Sequence, residues 1–288
     1  MPARRGSRTF DLRATTREIL VTYMSFSELP RADASTLVDR AELERRVQEV
    51  YSGVASDPLA PRHFETGRDL ALRLGYPKSL LDAVPAPALA SFAGVGYHLD
   101  LAGLAAGDRV LDLGSGAGTH AFCAVVGVGA NGRVVGVDFT DAQVDKATAL
   151  AQSHDIGSAE FVSASIDELP FEDASFDVVI SNGVINLSPF KDRVFAEAAR
   201  VLRPGGRLAV ADIVSAMPLK ESTRRNTDLW AACIAGAIPT AAYLDALAAA
   251  GFAIATTRRN EYRFVSERAR EACLTYGVES TTIAAIRG

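Results

Sequence analysis

The middle of the chain alternates between short apolar runs and amphipathic segments. Five runs have the length and composition of buried strands: RVLDLGSG, GRVVGVDFT, AEFVSASI, FDVVISNGV and GRLAVADIV. Three segments that separate them, AFCAVVGVGA, DAQVDKATALAQSHD and KDRVFAEAARVL, are predicted helices, the second capped by Thr140 or Asp141. Strands that alternate with helices predict an α/β fold, with a mostly parallel sheet and helices on both of its faces.

The two flanks of this region extend the prediction. Upstream, apolar positions recur at helical spacing in ASTLVDRAELERRVQEVYSGV, which Asp33 or Ser35 would cap. TGRDLALRLGY predicts a short helix that Gly75 stops, and PKSLLDAVPAPALASF predicts a second short helix that ends in a proline-rich break. Downstream, TDLWAACIAGA and TAAYLDALAAAGF predict helices, and FAIATTRRNEYRFV and ESTTIAAIRG predict the last strands of the sheet.

Composition narrows the class of protein. The chain has 288 residues, 48% of them hydrophobic and 23% charged, and a formal net charge of −5, which argues against a broad basic surface for nucleic acid. No apolar run reaches the roughly 18 residues that a membrane span needs, and the basic start lacks the apolar stretch of a secretory signal. We therefore expect no membrane partner and a cytoplasmic location. Cys123, Cys233 and Cys273 show no metal-ligand spacing, so we also expect reduced thiols and no metal site.

Three glycines follow the first predicted strand in VLDLGSGAGTH. Gly114, Gly116 and Gly118 allow a sharp turn and a close approach of a ligand to the main chain. Asp138 ends the second strand, where a carboxylate can accept hydrogen bonds from two ribose hydroxyls. Together they predict an adenosine-containing ligand. Asp112 precedes the glycines, and its carboxylate favours an ammonium or sulfonium centre over a pyrophosphate.

The motifs VLDLGSGAG, GVDFT, LPFEDASFDVVIS and VLRPGGRLAVAD resemble, in content and order, those of class I S-adenosylmethionine-dependent methyltransferases over about residues 75–215. The resemblance implies a Rossmann-like fold with a seven-stranded sheet and S-adenosyl-L-methionine as cofactor. It implies that the cofactor contacts Tyr51, Asp112, Gly114, Ser115, Gly116, Gly118, Asp138, Phe139, Ser165, Ile166 and Asn182. Ser165 stands where family members often carry an aspartate that bonds the adenine amine.

The resemblance also divides the chain. Residues 1–74 are predicted to form an N-terminal helical lid or extension, and residues 75–288 the methyltransferase domain. Within that domain, about residues 101–215 would form the cofactor-binding core. Residues 216–288 would supply helices on the substrate side and the last strands.

A narrower resemblance, over roughly residues 43–255, is to the arsenite methyltransferases, whose cysteine thiolates bind trivalent arsenic. The family's SNCVINL is SNGVINL here, with Gly183 in place of the cysteine, and its GCGNP is GVGYH, with Val95 in place of a second cysteine. Cys233 alone matches a ligand of that family. We therefore expect a changed acceptor and an apolar, aromatic substrate pocket. Its predicted members are Val95, Tyr97, His98, Gly183, Ile185, Trp230 and Cys233.

The acceptor atom decides whether a base is needed, since a hydroxyl or carbon acid must lose a proton and an amine or thiolate need not. His98 and His120 are the candidate catalytic groups, and His63 could close over the site from its loop. Three hypotheses stay open. The first is methyl transfer to a small organic molecule through O, N, S or C, the second arsenite or metalloid methylation with external thiols. The third is cofactor binding without methyl transfer, as in a cyclase or a regulatory module.

Overall fold

A single seven-stranded sheet organises the part of the chain that the computed structural model describes, residues 37–62 and 64–288. Its order is β3-β2-β1-β4-β5-β7-β6, and only β7 runs antiparallel to its neighbours, β5 and β6. The strands are β1 Arg109–Leu113, β2 Arg133–Asp138, β3 Ala159–Ser163, β4 Phe176–Asn182, β5 Leu202–Val214, β6 Phe252–Arg259 and β7 Glu279–Arg287. The predicted mostly parallel, seven-stranded sheet is confirmed.

Eleven helices belong to the described residues. Four precede the sheet: α1 Arg40–Ser56, α2 Arg68–Arg73, α3 Lys78–Asp82 and α4 Ala86–Ala90. Three lie between strands β1 and β5: α5 Thr119–Val128, α6 Asp141–Ser153 and α7 Lys191–Val201. The others are α8 Glu221–Arg224, α9 Thr227–Ala231, α10 Thr240–Ala249 and α11 Glu267–Tyr276. No helix of this part of the chain is long and apolar enough to cross a membrane.

Both faces of the sheet are buried. Val110 of β1 packs into an apolar cluster with helices α2 to α5, whereas Leu111 and Leu113 face the opposite cluster, which α7 and α10 cover. All three side chains are fully buried, as expected for a central parallel strand between two helical layers. This double coverage explains why the strands have continuous apolar runs.

The chain reverses its direction of travel across the sheet between β1 and β4. From β1 it moves outward to β2 and β3, then returns to β4 on the other side of β1 and moves on to β5. At such a reversal the connections leaving two neighbouring strands diverge and open a crevice at their carboxyl ends. The glycine loop follows β1 at this crevice, and Asn182 ends β4 beside it.

Several boundaries differ from the predicted ones. Helix α1 starts at Arg40, where the Asp39 carboxylate accepts the Glu42 N–H at 2.9 Å; Asp33 and Ser35, the predicted caps, lie outside the described residues. The segment 77–92 forms two short helices because Pro85 interrupts the first.

Four further differences lie between α6 and the end of the sheet. Thr140 occupies the cap position of α6, but its hydroxyl makes no capping bond. Helix α9 ends at Ala231, just before Cys233 adopts a left-handed backbone, with φ of 58°. Helix α11 was not predicted at all, and β6 ends at Arg259, well short of the predicted strand.

Candidate cofactor and acceptor site

One cleft opens at the carboxyl ends of β1, β2 and β4, with α1 lying across it. Its empty volume is about 1080 Å³ when the open solvent at the mouth is included. Eleven of the predicted site residues line it: Tyr51, Gly114, Ser115, Gly116, His120, Asp138, Phe139, Ser165, Ile166, Asn182 and Gly183. The fold therefore brings most of the predicted cofactor residues together in one cleft.

The glycine loop has no room for a side chain at Gly114 and needs a left-handed backbone at both Gly114 and Gly116. A Cβ on Gly114 would lie 2.3 Å from Val184 Cγ2, and the backbone there has a φ of 69°. Gly116 also has a positive φ, of 53°, and its N–H donates to Asp138 Oδ2 at 3.0 Å. The loop after β1 is thus tied directly to the end of β2.

Asp138 is held in place at the end of β2 by backbone donors. Besides the Gly116 N–H it accepts the Thr140 N–H at 2.9 Å, so both carboxylate oxygens are oriented by backbone donors. Each oxygen keeps a second lone pair for a ligand hydroxyl. Burial raises the pKa of Asp138 above its ordinary value, and the hydrogen bonds from backbone donors offset only part of this rise.

The far end of the cleft holds Asp167, a residue that the sequence analysis did not single out. Ser165 does not face a ligand freely, because its hydroxyl donates to Asp167 Oδ1. The side chain of Asp167 is only 5% exposed and lines the cleft, where Arg40 of α1 approaches it at 3.3 Å. A carboxylate is therefore present two residues after the position where the family often has one. Its closeness to Ser165 in the sequence was the available signal.

Helix α1 is fastened over the cleft by two amide side chains. Gln48 donates to the Phe139 carbonyl at 3.0 Å, and Gln143 of α6 donates to the Tyr51 carbonyl at 2.8 Å. Tyr51 turns its ring into the cleft and its hydroxyl lies 3.8 Å from Cys233 Sγ. Residues 1–36 of the predicted lid lie outside the described residues. Helix α1, which belongs to the same predicted segment, covers the site.

The three positions related to arsenic ligands converge. A Cβ on Gly183 would lie 3.4 Å from Val95 Cγ1, and Cys233 Sγ lies 3.7 Å from the Gly183 carbonyl oxygen. Burial raises the pKa of the Cys233 thiol to about 12, so it is protonated at neutral pH. Of the three positions, Cys233 therefore supplies one thiol, Val95 supplies an apolar side chain and Gly183 has no side chain.

Only one of the seven predicted substrate-pocket residues lines the cleft. Gly183 borders the cleft, but the other six members do not line it, and all of them except Tyr97 are buried: Val95, Tyr97, His98, Ile185, Trp230 and Cys233. Two predicted cofactor residues, Asp112 and Gly118, also lie beneath the surface of the cleft. Leu187, Pro189 and Phe190, which follow β4, supply the apolar lining instead.

The candidate bases are buried. His98 is 0% exposed, and burial beside His120 lowers its pKa well below 6.5. His120 borders the cleft, and burial lowers its pKa to about 3. Both rings are therefore neutral near pH 7, and neither has the pKa of an efficient base there. His63 lies outside the described residues.

Asp112 stands fully buried in the middle of β1. Neither of its carboxyl oxygens has a hydrogen-bond partner among the described residues. Burial, reinforced by the nearby negative charge of Asp138, raises its pKa to about 8. An unfolded aspartate titrates near 4, so between about pH 4 and pH 8 the folded state holds a proton that the unfolded state loses.

Stability of the ligand-free protein should accordingly fall as pH rises through that window, and Asp112→Asn should remove this loss. We expect the free energy of unfolding of the variant, relative to the wild type, to increase by about 2–4 kcal/mol from pH 5 to pH 8. Urea unfolding at the two pH values measures it, with the exposed Asp145→Asn as control. Parallel pH profiles for wild type and Asp112→Asn would contradict the raised pKa.

The described residues contain no group of three or more His, Cys, Asp or Glu placed to hold a metal ion. The three cysteines are free thiols.

Comparison with known proteins agrees with this architecture. A family model described as a methyltransferase domain matches residues 104–268. The chain belongs to this methyltransferase family. A solved structure, an arsenic(III) S-adenosylmethionine methyltransferase from Chlamydomonas reinhardtii, is 31% identical with a TM-score of 0.58, over 76% of this chain and 73% of that one.

Two curated relatives are named methyltransferases. An arsenite methyltransferase of Halobacterium salinarum is 42% identical over 60% of this chain and 44% of its own length. A 27-O-demethylrifamycin SV methyltransferase of Amycolatopsis mediterranei is 40% identical over 38% of this chain and 40% of its own. The chain thus spans less than half the length of these curated relatives. It is a class I methyltransferase fold close to the arsenite branch.

Proposed function

We propose that the protein is an S-adenosylmethionine-dependent methyltransferase whose acceptor is a small organic molecule. One observation carries the proposal: a single cleft joins the Asp138 and glycine-loop end to the wall at Gly183, where the family's thiol ligands are replaced. A donor site and an acceptor site in one enclosed space are what direct group transfer requires.

The residues present fit the cofactor. The Asp138 carboxylate keeps free lone pairs for the ribose hydroxyls, and the bare loop at Gly114 and Gly116 admits a ligand against the main chain. Phe139, Ile166 and Asp167 would border the adenine. When bound, the cofactor supplies an electrophilic methyl group on a sulfonium sulfur.

The chain's own residues would hold the acceptor in line and keep water out. Leu187, Pro189 and Phe190 make an apolar wall next to Gly183, and Leu43 and Val47 of α1 close the opposite side. Apolar walls suit an organic molecule better than an oxyanion. Because His98 and His120 are neutral and weakly basic, the favoured acceptors are those that react without a histidine base, such as amines, thiols or readily ionised hydroxyl and carbon acids.

Arsenite methylation is the second candidate. Cys233 remains beside Gly183, and the resemblance to arsenite methyltransferases is strong in the surrounding segments. In this alternative external thiols, such as glutathione, would replace the two missing protein ligands.

The test measures S-adenosylhomocysteine formed from S-adenosylmethionine by the full chain, with binding of both compounds checked in the same sample. Parallel reactions contain no acceptor, arsenite with excess glutathione, or a panel of phenols, amines, thiols and enolisable ketones. Product that depends on an organic acceptor supports the proposal. Product that depends on arsenite overturns it in favour of the second candidate. Tight binding with no turnover for any acceptor would favour a binding-only or cyclase role.

A further inference from the structure

Lys191 is a buried lysine directly behind the part of the cleft that the acceptor would contact. Residues 187–190, which we call the acceptor wall, line the cleft, and Lys191 follows them as the first residue of α7. Lys191 is only 8% exposed and does not line the cleft itself. Burying a charge is costly, so a lysine in this place needs partners that offset its lost hydration.

Its ammonium group binds the main chain of the wall. Lys191 Nζ donates to the Ser188 carbonyl at 2.8 Å and to the Asn186 carbonyl at 3.0 Å. These two carbonyls flank Leu187, which the short 3₁₀ turn after β4 brings to the cleft. One side chain thus holds the backbone on both sides of a wall residue.

A carboxylate of opposite charge acts on the same turn from β5. Asp212 is 1% exposed, and its Oδ2 accepts the Tyr243 hydroxyl at 3.0 Å. The Asn186 backbone N–H lies close enough to lower the pKa of this carboxylate. Opposite charges therefore act on the C=O and the N–H of Asn186, whose side-chain amide donates to the Ile213 carbonyl at 2.8 Å.

The ammonium group also joins the wall to α9. Nζ lies 5.1 Å from the centroid of the Trp230 ring, which is 1% exposed, and a cation–π contact is stronger where water is excluded. The Trp230 indole N–H donates to the Arg224 carbonyl at 2.6 Å, which fixes the ring. Just after α9, Cys233 Sγ lies 3.7 Å from the Gly183 carbonyl oxygen, at the other end of the loop that follows β4.

The charge of Lys191 depends on this packing. Burial lowers the pKa of Lys191, and the nearby negative charge of Asp212 opposes part of that fall. The charged or titratable groups around the ammonium are Asp212 of β5, Asp192 of α7, Arg224 of α8 and Cys233 after α9, with Tyr243 of α10 bonded to Asp212.

We propose that Lys191 is a positioning residue that holds the acceptor wall in place, by binding the Asn186 and Ser188 carbonyls and packing on Trp230. The cofactor end at Asp138 and the glycine loop makes none of these contacts, so the role concerns the acceptor. The inference rests on the proposed function only where it assigns this wall to an acceptor. The hold on the wall itself can be measured without turnover.

Hydrogen exchange of the full chain, measured by mass spectrometry, reports this hold directly. Lys191→Met keeps the apolar stem but removes the charge and the donors, so we expect the amides of residues 185–190 to exchange about 10-fold or more faster. Lys220→Met, at the exposed cap position of α8, is the matched control and should leave that segment unchanged. Unchanged exchange in a folded Lys191→Met protein would overturn the proposal.

The wild type gives a second test that does not depend on the folding of a variant. Trp230 is the single tryptophan of the chain, so its emission reports on this cluster. We expect an emission step as Lys191 loses its proton, at a pH below the ordinary lysine value of about 10.4, and Lys191→Met should lack it. Asp212→Asn should move the step to lower pH, because it removes the charge that favours the ammonium form.

Over the same pH interval, the protection of residues 185–190 should fall in the wild type once the intrinsic exchange rate at each pH is taken into account. A wall that keeps its full protection beyond the emission step would overturn the proposal.

Binding and turnover separate this role from the proposed function. Lys191→Met should bind S-adenosylhomocysteine within about three-fold of wild type, whereas the KM for an organic acceptor found in the panel should rise about 10-fold or more. A 10-fold loss of S-adenosylhomocysteine affinity would place Lys191 on the cofactor side and overturn the inference alone. Failure of the wild type to bind S-adenosylhomocysteine would overturn the proposed function, while exchange and emission still test the hold on the wall.

Discussion

Asp138→Ala is expected to weaken S-adenosylhomocysteine binding by about 100-fold or more, the largest effect of any single substitution in the site. The carboxylate has two tasks. It would accept the ribose hydroxyls, and it already accepts the N–H groups of Gly116 and Thr140 at 3.0 and 2.9 Å. Its loss leaves both amides without a partner and frees the glycine loop from the end of β2.

Two comparison variants separate these tasks, with affinity measured by isothermal titration calorimetry. Asp138→Asn keeps the shape and one acceptor oxygen but loses the charge, so we expect an intermediate loss. Asp141→Ala removes a neighbouring carboxylate that is exposed and bonded to Ser163 at 2.8 Å, so affinity should change by less than about three-fold. An Asp138→Ala protein that is folded and binds as tightly as wild type would contradict the assignment of the ribose site.

Restoring thiols at Val95 and Gly183 should convert the site into one that binds arsenite. A thiophilic ion needs two or three sulfur ligands in one place, and the wild type offers only Cys233. Gly183 and Val95 are close enough, since a Cβ on Gly183 would lie 3.4 Å from Val95 Cγ1. The positive φ of Gly183, 74°, imposes a strain of about 1 kcal/mol on the new cysteine.

We expect arsenite to leave the melting temperature of the wild type unchanged and to raise that of Val95→Cys/Gly183→Cys by several degrees, corresponding to about 2 kcal/mol or more at saturating ligand. Adding Cys233→Ala to the double variant should reduce this gain, because two thiols remain in place of three, and Cys233→Ala combined with only one of the new cysteines should remove it. The double variant without Cys233→Ala is therefore compared at the same arsenite concentration. A wild-type protein that arsenite stabilises as strongly would show that the missing thiols are dispensable and would favour the arsenite alternative.

Much of the cofactor side could be predicted because its signals are local. Gly114 and Gly116 follow an apolar strand directly, and Asp138 ends the next one, so spacing along the chain suffices to place them at one edge of a parallel sheet. Burial on both faces of the sheet produces continuous apolar runs in the strands and apolar positions at helical spacing in the helices. Both patterns can be seen in the sequence. The break at Pro85 has a local signal too, since proline removes a backbone donor; the sequence analysis predicted this break but not the second short helix, α4, that follows it.

The acceptor side could not be predicted to the same depth, because its contacts join distant parts of the chain. Nothing in the sequence near His98 indicates that it is fully buried or that its Nδ1 lies 3.1 Å from Asn182 Nδ2. Tyr76 reaches His120 and Asn182 only because α2 and α3 pack against α5.

By itself, the sequence determined the sheet, the glycine loop, the carboxylate at Asp138 and the absence of two family thiols, because each is a matter of residue type and spacing. The tertiary structure alone decided that α1 covers the cleft, that the Ser165 hydroxyl donates to Asp167, and that His98 and His120 are buried beside Asn182. Those features depend on which side chains meet across the packed helical layers, and that is set by three-dimensional packing and burial that no local pattern encodes.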